Sequence, residues 1–279
     1  MTNSISYNLL PRYRQQLIAE EKSPGTIAKY LRDASVLIAF LDGRPATKES
    51  LILFKQQLME TRAKSTVNAM LVAVNHFLSF AGKSACRVKL LKTQRSLFRE
   101  DGQVLSREEY LRLVSAAEGL ARPRLALLLQ AICATGIRVS EVRYLTVEAS
   151  RAGKVEISMK GKIRVILLPP KLCRMLLRYA RQKKIAAGEI FLTRSGKSLD
   201  RRQIWKEMKS LCRTAGVAPS KVFPHNLRHL FARCFYHACR DLVKLADVLG
   251  HSSVETTRIY LIETGREHIR HLNQLRLLC

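Results

Sequence analysis

The sequence predicts a mainly α-helical protein with one small antiparallel sheet, divided into two domains. Three observations carry that expectation. Apolar residues recur at helical spacing through most of the chain. Only around Val155–Leu167 does the pattern change to strict alternation. Between Lys89 and Gly102 periodicity lapses altogether and charge takes over, as in Lys92-Thr93-Gln94-Arg95 and Arg99-Glu100-Asp101. A chain of 279 residues has room for two such domains, each with a core of its own.

The elements follow in order. Ser23-Pro24-Gly25-Thr26 starts a helix, with Ser23 as cap and Pro24 at the first helical position. Ile27, Leu31, Val36, Ile38, Ala39 and Leu41 continue it to a stop near Gly43. A second helix is expected from about Lys48 to Arg62. A third begins at Ser65-Thr66, buries Val67, Leu71, Val74, Phe77 and Leu78, and ends at Gly82. Residues 1–88 thus form a helical domain, 89–104 a basic linker and 105–279 the second domain. Helices resume at Ser106, which forms a capping box with Glu109. Val155, Ile157 and Met159 alternate with polar residues, Lys160-Gly161-Lys162 turns the chain, and Ile163, Val165 and Leu167 alternate again: a hairpin. Ile190-Phe191-Leu192 reads as a third short strand, and helices dominate from Ser198 onward. After Tyr260, the apolar residues Ile269, Leu272, Leu275 and Leu277 mark an amphipathic helix.

Charge narrows the function. Against 22 acidic residues stand 49 Lys and Arg, a formal net charge of +27 and a pI near 10.3. Self-repulsion on that scale is relieved by a polyanion, and nucleic acid is the usual one. The seven cysteines, Cys86, Cys133, Cys173, Cys212, Cys234, Cys239 and Cys279, include no C-x-x-C pair. Most lie in apolar runs and read as small hydrophobes, free thiols fit a reducing cytoplasm, and Cys234, His237 and Cys239 read as core packing rather than a metal site. The amino terminus lacks a signal-type apolar run, and Leu125–Ala134 is too short to span a bilayer, so no membrane partner is expected. Neither a P-loop nor a Gly-rich dinucleotide loop is present, and no acidic cluster offers a divalent-metal site.

Four stretches hold chemistry. In Ala134-Thr135-Gly136-Ile137-Arg138-Val139-Ser140-Glu141, Gly136 stops one helix, and Arg138 is expected in the first turn of the next, where guanidinium and free N–H groups suit a phosphate. In Phe223-Pro224-His225-Asn226-Leu227-Arg228-His229, Pro224 starts a helix that puts His225 and Arg228 on one face, a proton carrier beside a fixed cation. From Leu249 to Tyr260, Gly250 closes a helix and Ser252 or Ser253 caps another that leads to Tyr260. At the hairpin tip, Lys160 or Lys162 can reach into a groove. Taken singly, each stretch also fits an ordinary solvated face or turn.

Their order and spacing resemble the tyrosine recombinase (phage integrase) family, in particular its compact Xer-like and integrase-like members. The family's A-T-G-[LI]-R-x-S-E box stands at Ala134–Glu141, its H-x-L-R-H box at His225–His229, and its L-G-H-x-x-x-x-T-T-x-x-Y box at Leu249–Tyr260. The lysine-bearing hairpin falls between the first two, and Lys160, before the glycine, matches the family lysine better than Lys162 in a turn about one residue short. Leu230 departs from a common Thr. The resemblance implies a helical core-binding domain followed by an α+β catalytic domain, with Tyr260 as nucleophile. Catalysis would then rest on Arg138, Lys160, His225, Arg228, His251 and Tyr260, with Glu141 orienting its neighbours. A phenol titrates near about 10, so attack at neutral pH needs a base or a strongly positive pocket. Because the 3′-phosphotyrosyl bond keeps the energy of the bond it replaces, no cofactor is implied. The implied partners are double-stranded DNA and three further copies of the chain, docked through the tail after Tyr260. The implied outcome is integration, excision or dimer resolution. A monomeric topoisomerase, and a DNA-binding protein without cleavage, are the rival readings.

Overall fold

The computed structural model describes residues 5–92, 104–159, 162–251, 253–261, 269, 273 and 274. The chain forms two compact units that divide between Arg95 and Ser96, inside the expected linker.

The first unit is four helices around one apolar core: α1 (Leu10–Ala19), α2 (Pro24–Leu41), α3 (Lys48–Thr61) and α4 (Lys64–Phe80). Ser23 caps α2 as expected, accepting from the Thr26 N–H, and Thr47 with Ser50 makes a capping box for α3. Tyr13 and Leu17 of α1, Leu37 and Leu41 of α2, Phe54 of α3 and Leu71, Val74 and Phe77 of α4 are fully buried together. The first residues of the expected linker are tied down here. Asn75 donates to the Val88 carbonyl and accepts from its N–H, at 2.8 and 3.0 Å. Two helical turns earlier, Asn68 does the same for Leu91, at 3.0 and 2.7 Å. The basic stretches beyond Lys92 lie outside the described residues.

The second unit is built around α6 (Pro123–Thr135), whose residues from Leu125 to Leu129 are all buried. It packs against α5 (Arg107–Gly119), α8 (Pro170–Gln182) and α11 (Pro224–Cys239). Ser106 and Glu109 form the expected capping box of α5. After α7 (Val147–Ala152), β1 (Lys154–Met159) and β2 (Lys162–Leu167) pair antiparallel, with Val155 opposite Ile166 and Ile157 opposite Arg164. That two-stranded sheet is the only one among the described residues. Ile190-Phe191-Leu192 is not a strand. Ile190 and Phe191 are both buried, which consecutive residues of a one-face strand cannot be, and the segment makes only isolated bridges from Glu189 to Thr146 and from Leu192 to Ser198.

The hairpin also corrects the expected phase. Val155 and Ile157 of β1 face the core with Ile166 of β2, whereas Val165 is 46% exposed and Leu167 76%. Arg164 therefore shares the inward face with Ile166, because side chains two apart point the same way. Helices α9 (Arg201–Lys209), α10 (Cys212–Ala215), α12 (Leu242–Leu249) and α13 (Val254–Arg258) complete the described unit. Cys212 is buried, but Cys234 and Cys239 are exposed, because the last turns of α11 run past the core. The reading of those two as core thiols is thus wrong. No helix among the described residues is long and apolar enough to cross a membrane. Of the tail, only residues 269, 273 and 274 are described, all helical.

Candidate active site

Three segments far apart in sequence meet at the carboxyl end of α12. The first leaves α6 through Thr135, whose buried hydroxyl donates back to the Ala131 carbonyl at 2.6 Å and accepts from the Ile137 N–H at 3.2 Å. Gly136 closes α6 at φ +62°. A Cβ there would come within 2.7 Å of Phe231 Cε1 and 3.1 Å of Leu249 Cδ2, so both conformation and packing require glycine. Arg138 does not enter a helical turn as expected. It is the extended N-cap, φ −71° and ψ 147°, of a 3-10 turn at Val139–Tyr144. Glu141 in that turn accepts from the Arg138 backbone N–H at 2.9 Å and from its Nη1 at 2.8 Å. The later start has a physical reason: the Glu141 carboxylate caps the turn by accepting from the Arg138 N–H, which places Arg138 just before the first helical residue.

The second segment is the first turn of α11. Pro224 occupies the first helical position, and His225, Arg228 and His229 follow at three- and four-residue spacing. Arg228 is only 2% exposed. Its Nη1 donates to the Gly136 carbonyl, its Nη2 to Leu249 O at 2.7 Å and to His251 Nε2 at 3.0 Å, and its Nε to Tyr260 Oη at 3.4 Å. Each of these partners is neutral. Burial, only partly offset by Tyr260, brings the guanidinium down to about 10, so it stays charged at neutral pH. A buried cation without a counter-ion among its partners is costly, and marks a place prepared for an anion.

The third segment is the end of α12 itself. The last carbonyls of a helix have no intrahelical donor and carry partial negative charge. Here three consecutive ones each receive a different arginine: Val248 O from Arg164 Nη2 at 3.2 Å, Leu249 O from Arg228, and Gly250 O from Arg138 Nη2 at 3.2 Å. The chain then turns at Gly250, φ +62°, and presents His251. Arginine can only donate, so His251 Nε2 must be the unprotonated nitrogen. Nδ1 therefore carries the proton and donates to the buried Thr257 hydroxyl at 2.9 Å. Burial first, then the charges of Arg228, Arg138, Arg164 and His225, pull this imidazole from its ordinary 6.5 to about 4. Burial alone would raise the Glu141 carboxyl, but the hydrogen bonds from Arg138 and the charges of Arg164 and Arg138 hold it below the usual carboxylate range.

Ser253 caps α13, which leads to a 3-10 turn at Ile259–Leu261 carrying Tyr260. The Tyr260 ring lies 5.4 Å from His251, nearly parallel at 28°, 4.2 Å from His229 and 5.5 Å from His225. Arg138, Ser140, Trp205, His225, Arg228 and Tyr260 line one cleft of about 640 Å³. A larger concavity of about 700 Å³, between Pro123, Tyr179 and Leu192, is lined by none of these residues. One carboxylate thus stands among three guanidiniums beside a phenol and three imidazoles. That arrangement suits a phosphodiester attacked by the phenol.

Five of the expected site residues, Arg138, His225, Arg228, His251 and Tyr260, are gathered here, and Lys160 lies outside the described residues. Sequence reasoning passed over Arg164, His229 and Thr257. Arg164 was legible only from the inward phase of β2. Thr257 and His229 lay inside recognised motifs but had no stated role.

The phage integrase family profile matches residues 103–265. Tyrosine recombinase XerC of Roseiflexus castenholzii is 31% identical, with 87% of this chain and 85% of the relative covered. Tyrosine recombinase XerA of Pyrococcus furiosus is 28% identical over 92% of this chain and 90% of its own. In fold, a lambda integrase dimer bound to a COC′ core site superposes with a TM-score of 0.74 at 16% identity, covering 93% of this chain and 96% of that one. The chain belongs to the phage integrase family and is a tyrosine recombinase of the Xer type.

Proposed function

We propose that this recombinase cuts double-stranded DNA with Tyr260 and rejoins it through the same residue. One observation carries the assignment: the Tyr260 hydroxyl lies 3.4 Å from the Nε of a buried arginine whose other partners are all neutral. As the Tyr260 oxygen bonds to phosphorus, the bond from phosphorus to the 5′ oxygen breaks. His225 takes the phenol proton and returns it in the reverse step, and Lys160 gives a proton to the departing 5′ oxygen. Arg138 and Arg228 hold the non-bridging oxygens, where negative charge grows. In the DNA-free enzyme His251 accepts from Arg228. A phosphate entering between them favours the protonated ring, and Nε2 then donates to it. No cofactor takes part.

Residues 1–88 serve in this reading as the DNA-binding domain, 89–104 as a basic linker and 105–279 as the catalytic domain. Several solved proteins of the same fold are complexes with DNA, among them a XerH recombinase on its difH substrate and a lambda integrase tetramer on a Holliday junction. They support a DNA partner here and four copies on DNA; in this reading the copies dock through the tail after Tyr260.

The test begins with a duplex selected from a random-sequence pool by binding to the Tyr260→Phe chain. Nicked so that cleavage releases a short fragment, this duplex should become covalently attached to the wild-type chain, in a form resistant to denaturation. The Tyr260→Phe chain should form no such adduct. An adduct with Tyr260→Phe, or none with wild type, contradicts the assignment.

A further inference from the structure

Arg164 has no part in the mechanism above, yet it is bound into the framework that holds the residues that do. Its Nη1 donates to Glu141 Oε2 at 2.6 Å and its Nη2 to the Val248 carbonyl at 3.2 Å. Its aliphatic portion packs so closely on Gly250 that a Cβ there would overlap Arg164 Cδ and Nε. The side chain is 12% exposed, and its buried Nε–H has no acceptor among the described residues. An orphaned donor of this kind persists where the surrounding contacts fix the group regardless. Burial outweighs its Glu141 partner and pulls the guanidinium below its ordinary value.

The connectivity matters more than any single bond. Arg164 belongs to β2, four residues after Lys160. Glu141 takes the Arg138 guanidinium on Oε1, and on Oε2 both the Arg164 guanidinium and the Arg138 backbone N–H. Val248 and Gly250 flank the carbonyl that receives Arg228, and the residue after Gly250 is His251. One guanidinium thus ties the hairpin to the Arg138 turn and to the end of α12. Arginine spreads its donors over a rigid planar fork, so Nη1 and Nη2 reach acceptors on two elements at once, whereas the three donors of a lysine ammonium all sit on one nitrogen and lack that span.

Building on the proposed function, we propose that Arg164 is a positioning residue for strand cleavage, which holds Arg138 through Glu141 and sets the Val248–His251 turn. It touches no DNA. Its removal leaves affinity for the duplex intact and displaces the groups that meet the transition state.

Single-turnover cleavage of the selected nicked duplex tests this, with the rate at saturating enzyme and the apparent affinity measured separately. Arg164→Gln should slow the saturated rate by about 100-fold, the scale of a displacement of about 1 Å at a catalytic group. Apparent affinity should stay within about twofold of wild type. In an Arg138→Ala background the same substitution should cost at least about threefold less than in wild type, because one of the two routes it acts through is already gone. Arg164→Lys should remain at least about tenfold slow, and it serves as the working variant if Arg164→Gln does not fold. A variant as fast as wild type overturns the proposal. So does an equal loss in both backgrounds, or a loss confined to affinity. Cleavage by wild type in the same assay keeps these outcomes separate from a failure of the Tyr260 assignment itself.

Discussion

His251 shows how the site's charges act on one residue. Its imidazole is held near 4, chiefly by burial and then by the neighbouring arginines, whereas in an unfolded chain it titrates near 6.5. Folding therefore favours the neutral ring. The stabilisation is complete above about 6.5 and is lost as pH falls through the folded value. Unfolding midpoints of the wild-type chain should drop between pH 6.5 and 4 more steeply than those of His251→Gln, which has no proton to exclude. Parallel curves for the two chains contradict this account. Glu141, with its carboxyl held low, adds its own loss at more acid pH, and the comparison between chains cancels it. Much of this residue-level chemistry was legible in the sequence, because His225, Arg228, His251 and Tyr260 sit in short segments of fixed spacing. Arg164 was not. Both phases of β2 offer apolar side chains, Val165 and Leu167 on one face and Ile166 on the other, and an arginine is ordinarily assigned to the solvent side.

At the scale of elements, the helix starts at Ser23 and Ser106 were read from their capping side chains, and Ser253 was one of two candidates for a third, whereas the starts capped by Thr146, Asp200 and Asp241 were not read. Capping is a local interaction, and local sequence encodes it. The segment from Val88 to Leu91 is a different case. Nothing nearby in sequence shows that it lies along α4, because its partners Asn75 and Asn68 are 13 and 23 residues away. Two side-chain amides bind its backbone as a neighbouring strand would, and the interdomain connection begins only after they let go. Replacing either Asn by Ala removes two hydrogen bonds, worth about 1 kcal/mol apiece. Hydrogen exchange should therefore quicken at the Val88 amide in Asn75→Ala and at the Leu91 amide in Asn68→Ala. If both amides keep their wild-type protection, the amide pairs do not hold this segment.

At the scale of the whole molecule, the net charge of +27 and the arrangement of the site express the same requirement. The surface draws a polyanion, and the end of α12 collects three arginines whose combined charge exceeds that of their single carboxylate. What folding contributes is convergence: a turn after α6, the start of α11 and the second strand of a hairpin meet at the end of α12 from distant parts of the chain. Composition pointed to a polyanion, and the sequence boxes held Arg138, His225, Arg228, His251 and Tyr260, which the fold gathers. The carbonyl row that holds the guanidiniums together could be seen only once α12 and its neighbours were placed. The most direct test of this convergence is to digest the covalent DNA adduct and map the nucleotide remnant by mass spectrometry. The remnant should reside on Tyr260 alone; a remnant on any other residue would contradict the account.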